Sequence, residues 1–306
     1  MRYYTTCERL FQDGGPFYHV CTKGAETDIY FRNEEEMNLA LNVIALAVFA
    51  TGCRLLAFAV MSNHFHFVIE GPVEACVKFF EEFRSRLCKA LPSADARDEF
   101  RKSTVSYIKI EDLNQLKTEI AYVVRNPFAA NRNVNMFSYP WCSGYLYFNG
   151  NRSLMREGEQ LCKKTIDFRR SFMHSRLVDA NPGVMLLDGV AMPTCFVDYR
   201  RAESFFDDAR EFQHCLLKNV ESQVVIAKRI GEAVSFDDYD LRSIMFHKCN
   251  KEYHVSSHKE LDNASLVTLA KTLKHEYGAS NAQLARILNK PSYQVDQMFP
   301  LSAKTK

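Results

Sequence analysis

The 306-residue sequence lacks several features that would place it in a specialised class of protein. Its ten cysteines include no C-x-x-C pair and no spacing typical of a zinc site. The stretch MRYYTTCERLFQDGG at the start has no apolar segment of the kind found in secretory signals. Together these absences predict reduced, mostly buried thiols in a cytoplasmic protein.

Long apolar runs and a strong net charge are also missing. The longest apolar run, ALNVIALAVFATG, is too short to cross a membrane and predicts a buried helix. The formal net charge is only +2, so any surface that binds nucleic acid must be a local feature. The sequence contains no internal repeats and no low-complexity stretch.

The first 126 residues carry a regular succession of strand and helix patterns. They predict the order β-α-β-β-α-β followed by one more helix, with strands at 17–23, 54–61, 64–71 and 104–111 and helices at 33–52, 72–91 and 112–126. This is the order of the split-βαβ, or ferredoxin-like, fold. The predicted class is therefore α+β, with a ferredoxin-like domain at 1–135 and a mainly helical region after it.

The C-terminal half divides into two predicted parts, a mostly helical extension at 136–240 and a helical bundle at 241–306. The bundle's pattern gives helices at 265–278, 280–290 and 291–299. A helix, a tight turn and a short following helix are typical of a helix-turn-helix module that binds DNA. Small helical bundles use the same pattern without touching DNA, so both interpretations stay open.

Two histidines stand one residue apart in MSNHFHFVIEG, residues 61–71. On a strand, His64 and His66 project from the same face, while Phe65 and Phe67 project from the other. Two imidazoles on one strand face are well placed to bind one metal ion, but a third ligand must come from elsewhere. The alternative is a pair of half-exposed histidines without function.

The helix at 112–126 offers such a ligand. Its apolar residues form one stripe at helical period, and Tyr122 falls almost opposite that stripe. Asn126 follows Tyr122 by one turn, and Glu119 shares the same polar side. A phenol and an amide oxygen are thus presented together, although exposed tyrosines on helices are common.

The two motifs together carry a resemblance to a known family. MSNHFHFVIEG followed by YVVRNPFAANR (122–132) resembles the HUH-type tyrosine transposases, specifically the REP-associated tyrosine transposases. The resemblance covers roughly residues 15–210. Ser62 stands where proline is usual in the family, and Val124 stands where histidine is frequent.

The resemblance implies a site and a reaction. His64 and His66 would hold Mg²⁺ or Mn²⁺, with Asn126 as the third ligand and Glu119 as an alternative to it. Tyr122 would be the nucleophile that forms a 5′-phosphotyrosine bond. The DNA partner would be a single strand beside an imperfect hairpin, and the length of the C-terminal half favours a monomer.

Other functions fit the same residues. One is a domesticated protein that binds hairpin DNA without cutting it, and another is a metal-dependent hydrolase in which Tyr122 is incidental. Aromatic residues after the third helix, Tyr145 and Tyr147, are candidates to stack on unpaired bases, although their segment YLYF could equally be a core strand. The sequence also offers basic residues for contacts to the DNA backbone: Arg84, Arg86, Lys89, Arg125, Arg132 and the run at 163–170.

Overall fold

The computed structural model describes residues 5–22, 29–130, 135–150, 158–176, 179–218, 226, 229, 236 and 238–300. The chain forms two compact units, one comprising Met1–Lys218 with Arg229–Glu232 and the other Asn219–Lys228 with Ala233–Lys306. The functional limits at 135 and 240 stay a prediction. In the part of the chain that the structure describes, no helix is both long enough and apolar enough to cross a membrane.

Unit 1 begins with the elements that form its main layer. In chain order they are α1 (Thr6–Gln12), β1 (Phe17–Thr22), α2 (Glu34–Thr51), β2 (Arg54–Val60), β3 (Phe65–Glu70), α3 (Val73–Ala90), α4 (Ala94–Lys102), β4 (Val105–Ile110) and α5 (Leu113–Ala130). The α+β class is confirmed. The structure contains each predicted strand and helix of this region within a few residues, and it adds α1 and α4, which the sequence patterns did not indicate.

The four strands form one sheet in the order β2-β3-β1-β4, and every neighbouring pair is antiparallel. Strand β3 therefore lies between β1 and β2, the two strands that α2 connects. Because side chains alternate along a strand, the sheet has two different faces. We call the side of Phe65 and Phe67 the phenylalanine face, and the side of His19, Cys21 and His66 the histidine face.

The phenylalanine face carries the main hydrophobic core of unit 1. The Phe65 ring lies 5.0 Å from the ring of Phe83, and the Phe67 ring lies 5.2 Å from that of Phe79, which joins the strand to α3. All four side chains are fully buried. Burying one such side chain stabilises the fold by roughly 1.5–3 kcal/mol, so this face anchors the sheet.

Helix α2 shows why the sequence forms this layer. The Asn33 side chain accepts a hydrogen bond from the backbone N–H of Glu36 at 2.9 Å, and Glu34, Glu35 and Glu36 lie in the first turn. Both features satisfy the amide groups and the positive dipole at a helix start. Gly52 ends the helix with φ 67°, a left-handed conformation that suits glycine. The predicted helix at 33–52 is confirmed.

Helix α5 corrects one prediction. The helix predicted at 112–126 ends just before Pro127, a residue that normally stops a helix, but in the structure α5 continues to Ala130. Proline lacks the N–H that the carbonyl of Val123 would accept, which normally ends or kinks a helix. Here the Cys142 thiol lies 3.9 Å from the Val123 oxygen and 3.8 Å from the Val124 oxygen. Burial raises the pKa of Cys142 to about 12, so the thiol keeps the proton that it donates to these carbonyls.

The rest of unit 1 is mostly helical in its described elements, and the limits of the extension expected at 136–240 stay a prediction. It also contains a small antiparallel sheet in the order β5-β6-β7, which the sequence patterns did not indicate. Its elements are β5 (Glu159–Gln160), α6 (Ile166–Met173), β6 (Met185–Leu187), β7 (Val190–Ala191), α7 (Pro193–Phe196), α8 (Tyr199–Glu203) and α9 (Ala209–Lys218).

Unit 2 has a hydrophobic core of its own among four helices. These helices are α10 (Asp238–Glu252), α11 (Asn263–His275), α12 (Asn281–Leu288) and α13 (Ser292–Met298). Ser280 and Gln283 form a capping box at the start of α12, and Asn289 follows its end at φ 51°. The three helices predicted at 265–299 are confirmed with slightly shorter bounds.

Candidate functional site on the histidine face

Helix α5 covers the histidine face, and its polar side lies against the sheet. Glu119 is fully buried, Asn126 is buried, and Tyr122 is only 7 % exposed. The apolar side, with Ile120 and Val123, is buried as well. The sequence analysis expected Tyr122 to avoid the core because it lies opposite the apolar stripe. That expectation was wrong, because α5 is enclosed on both sides.

The three metal ligands predicted from the sequence, His64, His66 and Asn126, lie close together between the sheet and α5. His66 lies on β3 directly opposite Cys21 of β1, and His64 immediately precedes β3. The Asn126 Oδ1 atom lies 3.3 Å from His64 Nε2, and the Asn126 Nδ2 atom lies 3.0 Å from His66 Nε2. One amide thus contacts both imidazoles.

Tyr122 lies over the same two-strand region. Its ring centroid is 5.5 Å from that of His66 and 6.0 Å from that of His19, in both cases edge to face. His64 is only half-buried, so the site is nearer to solvent at its His64 end than at His66 or His19, which are fully buried. The structure therefore brings His64, His66, Tyr122 and Asn126 together.

His19 and Cys21 on β1 also belong to this cluster, although the sequence patterns did not predict them. The His19 Nε2 atom lies 3.0 Å from His66 Nδ1, and the His19 Nδ1 atom lies 2.7 Å from Glu119 Oε2. A signal was present, because FYHVCTK places a histidine and a cysteine two residues apart on a predicted strand. In the split-βαβ order the first strand neighbours the third, so this pair could have been placed beside His66.

Charge in this cluster is arranged so that His66 stays neutral. Burial, and then the neighbouring His64 and His19, hold the pKa of His66 well below its usual range. Glu119 is paired with Arg229 as well as with His19, although it has no exposed surface. A buried carboxylate needs such partners to remain ionised. Glu119 is therefore held as a hydrogen-bond acceptor, and it contacts His19 rather than either histidine of the H-x-H motif.

A second group of metal-ligand atoms overlaps this site. The ligand atoms of His19, Cys21 and His66 all lie within 4.8 Å of one another. A thiolate with two imidazoles suits zinc better than magnesium or manganese. These three residues are fully buried, however, whereas the group around Asn126 includes the half-buried His64.

The basic residues predicted to contact DNA differ in their position and exposure. Arg84 and Arg86 lie on α3, which packs on the phenylalanine face, away from the histidines; Arg84 bonds the carbonyl of Ser103, and Arg86 pairs with Glu82. Lys89, on the same helix, is exposed. Arg125 is buried.

Of the remaining basic candidates, Arg132 lies outside the described residues. In the run at 163–170, Lys164 pairs with Glu159.

The two predicted base-stacking tyrosines are built into the fold. Tyr147 is buried, and its hydroxyl donates to the carbonyl of Leu56 at 2.7 Å. This burial fits the core alternative for Tyr147 and not base stacking. Tyr145 is half-buried against the core and lines a cavity of about 650 Å³ with Phe137 and Met192.

Comparison with known proteins adds little. No protein-family model and no curated protein matches the chain. A search of solved structures finds a REP-associated tyrosine transposase bound to a REP hairpin, with a TM-score of 0.32 and 12 % identity, covering 51 % of this chain and 84 % of that one. At this level the similarity establishes neither fold nor function.

Proposed function

We propose that the protein is a single-strand-specific DNA endonuclease and strand transferase of the REP-associated tyrosine transposase type. In this proposal the first domain is ferredoxin-like, Tyr122 is the nucleophile, and His64, His66 and Asn126 hold Mg²⁺ or Mn²⁺. The substrate is single-stranded DNA beside a hairpin. A monomer in the cytoplasm is part of the same proposal.

The contact between Asn126 and His64 carries the metal part of the proposal. The His64 Nδ1 atom lies 2.8 Å from the Asn63 side-chain oxygen, which can only accept, so Nδ1 bears the proton. In neutral His64 the lone pair of Nε2 then faces the Asn126 oxygen, which is also an acceptor. Two facing acceptors are satisfied by a proton between them or by a cation that both bind. Imidazole nitrogen and amide oxygen are ligands that manganese accepts.

The proposed chemistry is the reaction that the resemblance implies for Tyr122. The phenol oxygen attacks the phosphorus of a phosphodiester, and the bond from phosphorus to the 3′-oxygen breaks. The phenol loses a proton and the leaving 3′-oxygen gains one, which gives a free 3′-hydroxyl. The phosphotyrosine bond conserves the energy of the cut, so a second 3′-hydroxyl can reverse the reaction without a nucleotide cofactor. A bound divalent ion would stabilise the negative charge that develops on the phosphate oxygens.

Access to Tyr122 sets a condition on this mechanism. With 7 % of the residue exposed, the phenol must turn, or its cover must move, before it meets a phosphate. The half-buried His64 marks the side from which DNA would approach. This burial also favours the second candidate function, a protein that binds hairpin DNA and does not cut it.

A denaturing gel separates these functions. The full chain is incubated with Mn²⁺ and with single-stranded hairpin DNA labelled at either end, with random flanking sequence. A covalent protein–DNA band supports the transferase, and DNA retention without covalency supports the binding protein. Cleavage without covalency would instead indicate a hydrolase.

We propose further that α12 and α13 of unit 2 form a DNA-binding helix-turn-helix. The inner side of the two helices is buried in the core of unit 2 through Leu284, Ala285 and Val295. On the outer side of α13, Ser292, Tyr293 and Gln297 are exposed. In such modules the second helix enters the major groove and its outward side chains contact base edges. The left-handed Asn289 at the turn supports this assignment.

A further inference from the structure

A chain of four side chains runs from Arg229 to the candidate metal site. The Arg229 guanidinium bonds Glu119 Oε1, and the other oxygen of Glu119 bonds His19 Nδ1. His19 Nε2 in turn contacts His66 Nδ1 at 3.0 Å. His19, Glu119 and His66 are fully buried, so solvent does not compete for the contacts among these three side chains, whereas Arg229 at the outer end is exposed.

Glu119 sets the direction of each hydrogen bond in this series of four side chains. An ionised carboxylate only accepts, so His19 must donate from Nδ1. Neutral His19 then has its lone pair on Nε2 and accepts the proton of His66 Nδ1–H. His66 is left with its lone pair on Nε2, the atom that faces Asn126.

We propose that His19 is a positioning residue, which with Glu119 and Arg229 locks His66 in the tautomer that presents Nε2 as a metal ligand. The inference rests on the proposed function, because it assigns the ligand role to His66. Metal-binding histidines commonly donate their second ring N–H to a carboxylate or carbonyl, and this partner fixes the tautomer. Here the carboxylate acts on His66 through a second imidazole.

Arg229 fixes which atom of residue 119 faces His19, and so it fixes the direction of the hydrogen bonds that follow. In Glu119→Gln, one of the two acceptor atoms becomes an NH₂ group. The guanidinium can only donate, so it retains the amide oxygen and the NH₂ group turns toward His19. His19 must then accept at Nδ1 and carry its proton on Nε2, which forces His66 to accept at Nδ1 and to lose the lone pair on Nε2. Arg229→Ala added to Glu119→Gln removes this constraint.

The test compares three single variants and one double variant in the full chain. His19→Phe fills the space but offers no acceptor, whereas His19→Gln can place its amide oxygen near the position of Nε2. Mn²⁺ affinity is measured by titration. The His66 tautomer is read in the metal-free protein from the ring-nitrogen shifts of histidine-labelled samples, which contain nine histidines. Cys21→Ser serves as the matched control on β1.

We expect His19→Phe and Glu119→Gln to weaken Mn²⁺ binding roughly 10- to 100-fold, the usual effect of removing such a partner. His19→Gln and the Glu119→Gln/Arg229→Ala protein should recover most of the affinity, and Cys21→Ser should retain it. In the spectra, wild-type His66 should carry its proton on Nδ1 and Glu119→Gln should carry it on Nε2.

Two results would overturn the inference. One is an unchanged Mn²⁺ affinity and His66 tautomer in both His19→Phe and Glu119→Gln. The other is loss of Mn²⁺ binding in Cys21→Ser, which would assign the metal to the His19, Cys21 and His66 group. Failure of the proposed function has a different signature, since wild-type protein would then form no covalent DNA adduct whatever the tautomer of His66.

Discussion

Along β3 both faces of the sheet are buried, but around residues 65–67 they are built from opposite chemistry. Phe65 and Phe67 point into a core of rings that meet edge to face, while His66, between them in sequence, points into a cluster of polar side chains under α5. The apolar face is stabilised by excluded water. The polar face is stable only because each buried group meets a partner, which makes its geometry specific.

The difference teaches where function can be placed in this fold. A ring in the phenylalanine face can exchange with another apolar group of similar volume at modest cost. The hydrogen-bonded residues His19, His66 and Asn126 cannot be exchanged for apolar groups without leaving their partners unsatisfied. Residues that act in catalysis are expected on the histidine face, and substitutions on the phenylalanine face should change stability alone.

The largest effect should come from Tyr122→Phe, which removes one oxygen from the histidine face. Without the phenol oxygen no phosphotyrosine bond can form, so the covalent adduct should disappear completely. Binding of hairpin DNA and Mn²⁺ should persist, because His64, His66 and Asn126 remain. The measurement is the denaturing gel with 5′- and 3′-labelled strands, with Tyr18→Phe as a control. A surviving adduct in Tyr122→Phe would identify another nucleophile.

Phe67→Ala should have the largest effect on stability. It removes a fully buried ring that packs on Phe79 and Phe83, and such truncations cost about 3–5 kcal/mol. Urea unfolding monitors the loss. Mn²⁺ affinity per folded molecule should not change. A large drop in that affinity at full folding would show that the two faces are coupled.

His66→Ala reverses this pattern at the neighbouring position. The unsatisfied His19 and Asn126 groups should cost about 1–3 kcal/mol, less than the lost ring of Phe67. Mn²⁺ binding and DNA cleavage should nevertheless be abolished. Paired urea and Mn²⁺ titrations of the two variants provide the comparison, and cleavage by His66→Ala at the wild-type rate in excess EDTA would refute the metal role.

A pH effect should arise at the far end of the histidine face, where Glu70 bonds Arg201 at 2.9 and 3.0 Å. Burial opposes ionisation of Glu70, but Arg201, Arg54 and the amide of Gly15 outweigh it and lower the pKa of the carboxyl. Its stabilising contribution is thus complete above the unfolded pKa of about 4.3 and is lost as pH falls through the lower folded value. Glu70→Gln should be less stable at neutral pH and lack this dependence. Parallel acid titrations of both proteins would show whether the two curves differ there.

The smallest change in stability should follow Tyr293→Ala on the exposed side of α13. Tyr293 is 61 % exposed, so the free energy of unfolding should change by no more than about 0.5 kcal/mol. Duplex DNA binding should weaken, and binding of wild-type protein should fall steeply with salt. A fluorescence-anisotropy titration at two salt concentrations measures both. Unchanged duplex binding in Tyr293→Ala would indicate that the helix pair serves packing alone.

Sequence by itself determined the four strands and the helices α2, α3 and α5 of unit 1, and it named His64, His66, Tyr122 and Asn126 as candidate site residues. Period-two patterns located the strands, helical periodicity and caps such as Asn33 and Gly52 located α2, and the H-x-H motif with Tyr122 and Asn126 located the candidate site. These signals are local, because they depend on which side chains share a face or a turn. Helix α5 passed through Pro127 against the local rule, since a thiol from residue 142 meets the carbonyls near the proline.

Only the tertiary structure decided which face of α5 meets the sheet and which residues join His66 there. His19 and Glu119 are 100 positions apart in sequence, and Arg229 is 110 positions beyond Glu119, so no local pattern predicts their contact. The burial of Tyr122 has the same origin, because a polar helix side is expected to face water unless another polar surface covers it. The histidine face is such a surface, and it exists only once β1 and β3 have paired.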